Sequence, residues 1–258
     1  MKSVPSLQLK NGVEIPHIGL GTWKMREGDE AQRAVAEALS LGYRLIDTAK
    51  YYGNERSVGR AIRASGIPRD EIFVTTKLWP TDFFDPRGAF EKSMELLNIG
   101  PVDLYLIHWP IPAQPKSIWR VLEKIYDEKL ARAIGVSNYG IGDIESLLSY
   151  ARTPPAVNQI KFSPFDRNTE VRRCCSMHDI VVEAYSPLTR GHQVDHPTII
   201  QVAKKYHKTP AQIMLRWCIE HGTVPIPKTT HLARMKENIE IFDFSLEESD
   251  MAALNSLY

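Results

Sequence analysis

The chain has 258 residues, of which 43% are apolar and 24% charged, and its formal net charge is +1. This composition is typical of a globular protein with a large core, and so small a net charge gives no reason to expect nucleic acid or an anionic membrane as a partner. No apolar run approaches the roughly 20 residues of a membrane helix, and the first residues, MKSVPSLQLKNG, lack the apolar stretch of a secretory signal. Three cysteines, two of them adjacent, cannot form a disulfide framework, so we expect a cytoplasmic protein.

The N-terminal segment LQLKNGVEI (7–15) predicts a β-hairpin. Alternating apolar residues flank the pair Asn11-Gly12, and Asn-Gly between alternating apolar residues is the strongest short-range hairpin signal.

Beyond the hairpin, short apolar runs alternate with segments of helical periodicity. The runs are rich in Val and Ile without strict alternation, as is typical of parallel strands buried on both faces. They are IGLG (18–21), RLID (44–47), IFVTTK (72–77), DLYLIH (103–108), ARAIGVSN (131–138), PAVNQIKF (155–162), IVVEAYS (180–186) and TVPIPK (223–228). Among the helical segments, an apolar stripe runs from Ala31 to Leu39 before Gly42, and Thr209-Pro210 supplies an N-cap followed by proline.

Repeated strand-then-helix units predict a parallel sheet, and eight units in about 250 residues is the size of an α/β (β/α)₈ TIM barrel. An open dinucleotide-binding sheet is the alternative, but Gly19-Leu20-Gly21 lacks the third glycine of its fingerprint. No linker or low-complexity tract divides the sequence, so we expect one domain over residues 1–258.

Polar side chains lie at the ends of six of the eight predicted strands and within a seventh, and the carboxyl ends of barrel strands carry the active site. Each alone is compatible with a satisfied polar group at a strand end, but together they predict a site. They are Asp47, Lys77, His108, Ser137-Asn138, Asn158-Gln159, Tyr185-Ser186 and Lys228. Trp23, Trp79 and Trp109 follow three of the strands, where they would either seal the barrel or form the aromatic wall of a small-molecule pocket.

These groups are suited to protonating a carbonyl oxygen. Asp47 and Lys77 on neighbouring strands can form an ion pair, and an ammonium near a phenol lowers the tyrosine pKa from its ordinary value of about 10. The tyrosine then becomes a general acid, although spacing alone does not choose between Tyr51 and Tyr52. We find no nucleophile–base pair and expect no metal, because Cys174, Cys175 and His178 lack an evident fourth ligand. Reduction also needs a hydride source, which implies a nicotinamide cofactor.

The sequence offers contacts for such a cofactor. Ser137, Asn138 and Gln159 could hold a carboxamide, and Tyr185 could stack on an aromatic ring. The segment PKTTHLARMKEN (227–238) suits a phosphate monoester, with an ordinary solvated helix start as the alternative.

Ordered motifs along nearly the whole chain resemble those of the aldo-keto reductases. They are GLGTWK (19–24), DTAKYYGNE (47–55), TTKLW (75–79), DLYLIHWP (103–110), GVSN (135–138), NQI (158–160), AYSPL (184–188) and IPKTT (226–230). The short form looks most like microbial members such as diketogluconate reductases.

The resemblance implies a barrel whose bottom is closed by the hairpin, and a catalytic tetrad of Asp47, Tyr52, Lys77 and His108 with Tyr52 as proton donor. It also implies substrate contacts from Trp23, Tyr52, Trp79, His108 and Trp109. The NADPH contacts implied are Thr22, Asp47, Ser137, Asn138, Gln159, Tyr185, Ser186, Leu188, Lys228, Thr229, Arg234, Glu237 and Asn238. We expect a monomer that reduces aldehydes, α-dicarbonyls or ketones to alcohols. The short loop after the fourth predicted strand and the little sequence after the last helix lead us to expect an open, tolerant pocket.

Other functions within the same fold differ at one position. Potassium-channel β subunits, which resemble these reductases but work chiefly by binding a partner, depart from the pattern where this chain has His108, and steroid double-bond reductases carry glutamate there. His108 therefore favours carbonyl reduction over both, and a non-catalytic NADPH-binding regulatory subunit is kept as the alternative function. A phosphate-binding isomerase or lyase would explain Lys228 and Arg234 but not the residues expected to hold a carboxamide.

Overall fold

The computed structural model of the protein describes residues 4–257. The first three residues of the segment compared with a secretory signal, and Tyr258 at the end of the expected domain, lie outside this range. The strands are β1 (Ser6–Gln8), β2 (Glu14–Pro16), β3 (Leu20–Gly21), β4 (Leu45–Asp47), β5 (Phe73–Leu78), β6 (Val102–Ile107), β7 (Ala131–Ser137), β8 (Val157–Lys161), β9 (Val181–Tyr185) and β10 (Val224–Pro225). The helices are α1 (Asp29–Ser40), α2 (Glu55–Ala64), α3 (Pro86–Leu97), α4 (Lys116–Asp127), α5 (Ile141–Leu148), α6 (Thr169–Met177), α7 (Pro197–Tyr206), α8 (Pro210–Glu220), α9 (Leu232–Ile239) and α10 (Glu248–Asn255).

Strands β3 to β10 form one parallel sheet in chain order. The backbone N–H groups of Gly19 and Gly21 donate to the carbonyl oxygens of Pro225 and Pro227 at 3.0 and 3.1 Å, which joins the first strand to the last. The predicted (β/α)₈ barrel is confirmed, with α7 and α8 both inserted between β9 and β10.

The two strands at this seam are shorter than the apolar runs that predicted them. Strand β10 contains only two residues, because Pro225 and Pro227 have no N–H to donate and serve only as acceptors. On the other side of the seam, a Cβ on Gly21 would lie 2.8 Å from the carbonyl oxygen of Ile226. Glycine is therefore required for the first and last strands to approach this closely.

The predicted hairpin closes the bottom of the barrel. Leu9 and Ile15 are buried among side chains from the barrel interior, including Leu45 and Phe73 at the starts of their strands. The turn has a three-residue loop, since Leu9 N–H donates to the Val13 carbonyl and Gly12 N–H to the Leu9 carbonyl, both at 2.8 Å. Gly12 takes a left-handed conformation at φ 83°, the position that favours glycine in such loops.

The helices surround the barrel as their sequences predict. The stripe on α1 is buried from Ala31 to Leu39, and Gly42 follows the helix with φ 97°. At the start of α8, Gln212 N–H donates to Thr209 Oγ1 at 3.2 Å while Thr209 N–H donates to Gln212 Oε1 at 3.0 Å, forming a capping box. Within residues 4–257 no helix is long and apolar enough to cross a bilayer.

We expect Gly59→Ala to destabilise the fold, because helices α2 and α3 approach each other at this residue. A Cβ on Gly59 would lie 1.9 Å from the backbone oxygen of Leu97, and relieving that clash should lower the free energy of unfolding in urea by at least about 2 kcal/mol. Gly142→Ala in α5 is the control, since its Cβ would meet nothing within 4 Å. Equal stability of the two variants would contradict this account of the packing.

Candidate active site

A cavity of about 970 Å³ lies at the carboxyl ends of the barrel strands. Nearly all residues predicted for the site line it: Trp23, Asp47, Tyr52, Trp79, His108, Trp109, Ser137, Asn138, Gln159, Tyr185, Ser186, Leu188, Lys228, Thr229, Arg234, Glu237 and Asn238. Three do not. Asn158 is buried, and its side chain donates to the Tyr139 backbone oxygen at 3.0 Å. The other two, Thr22 and Lys77, are buried beside Asp47. Thr22 donates from its hydroxyl to the Asp47 backbone oxygen at 2.9 Å, and Lys77 forms an ion pair with the carboxylate.

Lys77 is the centre of the polar cluster. Its buried Nζ lies 2.6 Å from Asp47 Oδ2, 2.9 Å from the Thr48 carbonyl oxygen and 3.2 Å from the Tyr52 hydroxyl. These three partners match the three N–H bonds of an ammonium group. Burial, the largest single effect, works against the charged form, but Asp47, the Tyr52 oxygen and Glu183 together outweigh it and raise the pKa of Lys77. The ammonium is therefore held against the phenol of Tyr52.

The loop after β4 brings Tyr52, and not Tyr51, to this ammonium. Both tyrosines lie in a short 3₁₀ turn, Lys50–Tyr52, and Gly53 follows in a left-handed conformation at φ 68°. Tyr51 points outward with 57% of its surface exposed and stacks on Trp79, with ring centroids 3.9 Å apart.

Asn54, whose role is not evident from the sequence, holds this loop in place. Its buried amide donates to the backbone oxygens of Thr22 and Met25 at 2.9 and 3.0 Å, and its Oδ1 accepts from the Thr48 hydroxyl at 2.7 Å. The loops after β3 and β4 are thereby fixed to each other. No sequence signal identifies this role, because it depends on the burial of Asn54, which the motif does not show.

Burial raises the pKa of Tyr52 to about 12, although the Lys77 ammonium opposes this rise. The expectation that Lys77 would bring the pKa below its ordinary value is therefore wrong for this structure. The free-energy cost of removing the phenolate from water exceeds its attraction to the Lys77 ammonium, because that ammonium also interacts with Asp47.

His108 is a neutral imidazole at physiological pH, because burial and then the nearby Lys77 lower its pKa to about 2. Its ring stands edge-on to Tyr52, with centroids 5.5 Å apart, and edge-on to Trp79 at 5.0 Å. A neutral imidazole at this point can give one directed hydrogen bond but no charge.

Ser137, Asn138 and Tyr185 form a connected set beside the tetrad. Ser137 Oγ donates to the Gln159 backbone oxygen at 2.9 Å, and Asn138 Nδ2 donates to the His108 backbone oxygen at 3.0 Å. The Tyr185 hydroxyl donates to Asn138 Oδ1 at 2.8 Å, which fixes the tyrosine ring as a wall of the cavity. These side chains can present amide and hydroxyl groups together with an aromatic face.

The far end of the cavity is cationic. Lys228 and Arg234 are exposed there, and neither forms an ion pair with any residue in the described range. Thr229, which follows Lys228 in the chain, is buried and accepts a hydrogen bond from His231 N–H at 3.1 Å at the start of α9. Two free cations and a hydroxyl at a helix start are suited to a phosphate group.

Two charged residues of the cavity wall, Lys24 and Arg190, and one buried carboxyl group behind it, Glu183, were not predicted from the sequence. Lys24 Nζ and the Arg190 guanidinium lie 4.6 and 4.8 Å from the ring centroid of Trp23. Glu183 in β9 is buried, and its Oε2 accepts a 2.6 Å hydrogen bond from Gln159 Nε2. For Glu183 a signal existed, because it is the single charged residue within the apolar run IVVEAYS (180–186).

Comparison with known proteins gives consistent matches over almost all of the chain. The model of the Aldo/keto reductase family matches residues 17–258. Glyoxal reductase of Bacillus subtilis (strain 168) is 44% identical over 98% of this chain and 92% of its own length, and methylglyoxal reductase DkgA of Yersinia pestis is 41% identical over 100% and 94%. The aldo-keto reductase of Bombyx mori solved in complex with NADP superposes with a TM-score of 0.92 at 36% identity, over 100% of this chain and 94% of that one. With its tetrad motifs assembled at the carboxyl ends of a closed (β/α)₈ barrel, the chain belongs to the aldo/keto reductase family.

Proposed function

We propose that the protein is an NADP(H)-dependent oxidoreductase that reduces aldehydes, α-dicarbonyls or ketones to alcohols, with Tyr52 as the proton donor. The observation that carries the proposal is the Tyr52 hydroxyl, which lies 3.2 Å from the Lys77 ammonium in a cavity walled by Trp79 and Trp109. The names of the bacterial relatives, glyoxal reductase and methylglyoxal reductase, support small carbonyl compounds as the substrate class.

The residues present fit a nicotinamide dinucleotide phosphate. The same cavity reaches from the tetrad, past Tyr185, to the cations Lys228 and Arg234, so it offers an aromatic face at one end and a phosphate site at the other. Ser137, Asn138 and Gln159 would hold the carboxamide, and Ser186 and Leu188 would lie along the pyrophosphate. When bound, the reduced cofactor supplies the hydride that no side chain can provide.

The protein's own part in the reaction is to bind the carbonyl oxygen and to protonate it. Tyr52 and His108 would both donate hydrogen bonds to that oxygen. As it gains negative charge, the Tyr52 O–H transfers its proton, because an alkoxide is a far stronger base than a phenolate. A pKa of about 12 keeps Tyr52 protonated, and so ready to donate, at neutral pH.

Lys77 favours the proton transfer because the negative charge appears on the atom to which it is already hydrogen-bonded. The bond from Nζ to the Tyr52 oxygen strengthens as the phenol becomes a phenolate, whereas it is weak to the neutral phenol. This interaction is stronger in the transition state than in the ground state, which is the condition for catalysis. Asp47 keeps the lysine charged and in position.

The regulatory-subunit alternative fits the geometry less well. His108 is present, neutral and edge-on to Tyr52, so the group expected to orient a carbonyl is in place. A protein that only bound the cofactor would not require that histidine or the ion pair behind Tyr52.

The first test is an assay of the purified protein with NADPH and a panel of aldehydes, α-dicarbonyls and ketones. We expect aldehyde-dependent loss of the NADPH absorbance, and none when the carbonyl compound is omitted. NADPH binding without turnover on any member of the panel would favour the regulatory subunit.

Tyr52→Phe should lower kcat by at least about 10²-fold, because it removes the proton donor while keeping the ring. NADPH affinity, measured by fluorescence titration, should remain within about twofold of the wild type. Tyr51→Phe is the matched control and should keep most of the activity, since the Tyr51 ring stacks outside the polar cluster. The reverse result would assign the proton donor to Tyr51.

Arg234→Ala should weaken NADPH binding by about tenfold or more while leaving NADH binding unchanged, because a charge-assisted hydrogen bond to the 2′-phosphate is lost. Arg173→Ala, an exposed substitution in α6 away from the cavity, removes the same charge and should change neither affinity. An unchanged ratio of the two affinities in Arg234→Ala would remove Arg234 from the phosphate site.

A further inference from the structure

Glu183 is a buried carboxyl group that belongs neither to the proposed tetrad nor to the cationic end of the cavity at Lys228 and Arg234. It lies in β9 directly opposite Gln159 of β8 in the strand register. Its side chain is fully enclosed, and its Oε1 has no hydrogen-bond partner. Burying a carboxyl oxygen without a hydrogen-bond partner lowers the stability of the fold. We therefore expect Glu183 to have a role in the neighbouring site.

Gln159 connects Glu183 to the tetrad. Its single Nε2 lies 2.8 Å from Asp47 Oδ2 and 2.6 Å from Glu183 Oε2. Because Asp47 is ion-paired with Lys77 and acts as an acceptor, the nitrogen of the Gln159 amide must face it. Both N–H bonds of the amide are then taken, one by each carboxyl group. The Gln159 oxygen is left as the group that can meet a ligand, and it can only accept.

We propose that Glu183 is a positioning residue, which holds the second N–H of Gln159 so that this amide offers only its oxygen to the carboxamide N–H of a nicotinamide. The inference rests on the proposed function, in which Gln159 contacts the carboxamide. Without an acceptor at position 183, one N–H of Gln159 is free, and the amide can turn or can donate to the ligand instead. Binding then loses the single orientation that presents the ring for hydride transfer.

The charge of Glu183 should also distinguish the two redox forms of the cofactor. The ionisable groups that face it are Asp47 from β4, Lys77 from β5 and Tyr52, with the neutral amide of Gln159 between. Burial, and then repulsion by Asp47, raise the pKa of Glu183 to about 8. Below that pH the neutral acid still accepts the Gln159 hydrogen bond through its carbonyl oxygen.

Above that pH Glu183 would carry a negative charge one hydrogen bond behind Gln159, the residue that would contact the carboxamide. The oxidised nicotinamide ring is positive and the reduced ring is neutral, so ionised Glu183 favours NADP⁺. The ratio of the NADP⁺ dissociation constant to that of NADPH should therefore fall as the pH rises through the pKa of Glu183.

The first experiment measures NADPH dissociation constants by fluorescence titration at pH 7, with no carbonyl compound present. Glu183→Leu should weaken binding by about threefold to tenfold, the equivalent of one hydrogen bond. Glu183→Gln should remain within about twofold of the wild type, because its amide oxygen still accepts from Gln159. A folded Glu183→Leu that binds like the wild type, or a Glu183→Gln as weak as Glu183→Leu, would overturn the proposal.

Glu123→Gln is the control for loss of a buried glutamate. Glu123 in α4 is buried, its Oε2 forms an ion pair with Arg120 Nη1 at 2.9 Å that glutamine would lose, and it does not line the cavity. This variant should lower the melting temperature without changing NADPH affinity, which separates positioning from general stability.

The second experiment compares NADP⁺ and NADPH affinities between pH 7 and pH 9, a range above the pKa of about 6 expected for the cofactor's 2′-phosphate. In the wild type the ratio should fall by about threefold to tenfold, and in Glu183→Gln it should stay constant. A pH dependence retained by Glu183→Gln would overturn the proposal, and this comparison decides even if Glu183→Leu does not fold.

An error in the proposed reaction and an error in the role of Glu183 would give different experimental results. A wild type that binds NADPH but reduces no carbonyl compound would refute the proposed reaction and leave the role of Glu183 standing. A wild type that reduces aldehydes, combined with no effect of either Glu183 variant, would refute only the role of Glu183.

Discussion

The buried ion pair between Asp47 and Lys77 is the interaction on which the rest of the site depends. Both side chains are almost completely withdrawn from water, and such a pair contributes little net stability by itself, because desolvation consumes most of the attraction. It persists because every remaining donor of the ammonium is used, by the Thr48 carbonyl and the Tyr52 hydroxyl. The pair is thus a means of delivering a positive charge to one phenol, and the barrel supplies the dry surroundings that make this charge effective.

Electrostatic balance in this interior is set by several groups together and not by the pair alone. One ammonium faces the carboxyl groups of Asp47 and Glu183 and the phenol of Tyr52. Burial acts on all of them in the direction of the neutral form, which keeps His108 uncharged and Tyr52 protonated. Tyr52 therefore keeps its proton at neutral pH, and the Lys77 ammonium lies where it would stabilise a phenolate.

The sequence predicted the barrel well because strand and helix periods, hairpin chemistry and strand-end polarity are local signals that all agree. It predicted the lengths of the two strands at the seam poorly. Pro225 and Pro227 shorten β10 because they can only accept hydrogen bonds from Gly19 and Gly21, and this pairing is visible only in the structure. The choice between Tyr51 and Tyr52 followed from family resemblance and not from spacing, and the structure supplies the physical reason in the left-handed turn at Gly53. The pKa of Tyr52 was misjudged because burial depends on all eight strands at once, and Glu183 was overlooked because a single charge in an apolar run does not reveal its partner.

The seam of the barrel has a consequence for how a ligand and the fold support each other. Gly21, where the first strand touches the backbone of the last, also lines the cavity, as does Lys228 just beyond β10. A ligand lying across these two positions bridges the first and last repeats of the chain. Its binding energy then opposes separation of the two ends of the sheet, so occupancy makes the barrel harder to open.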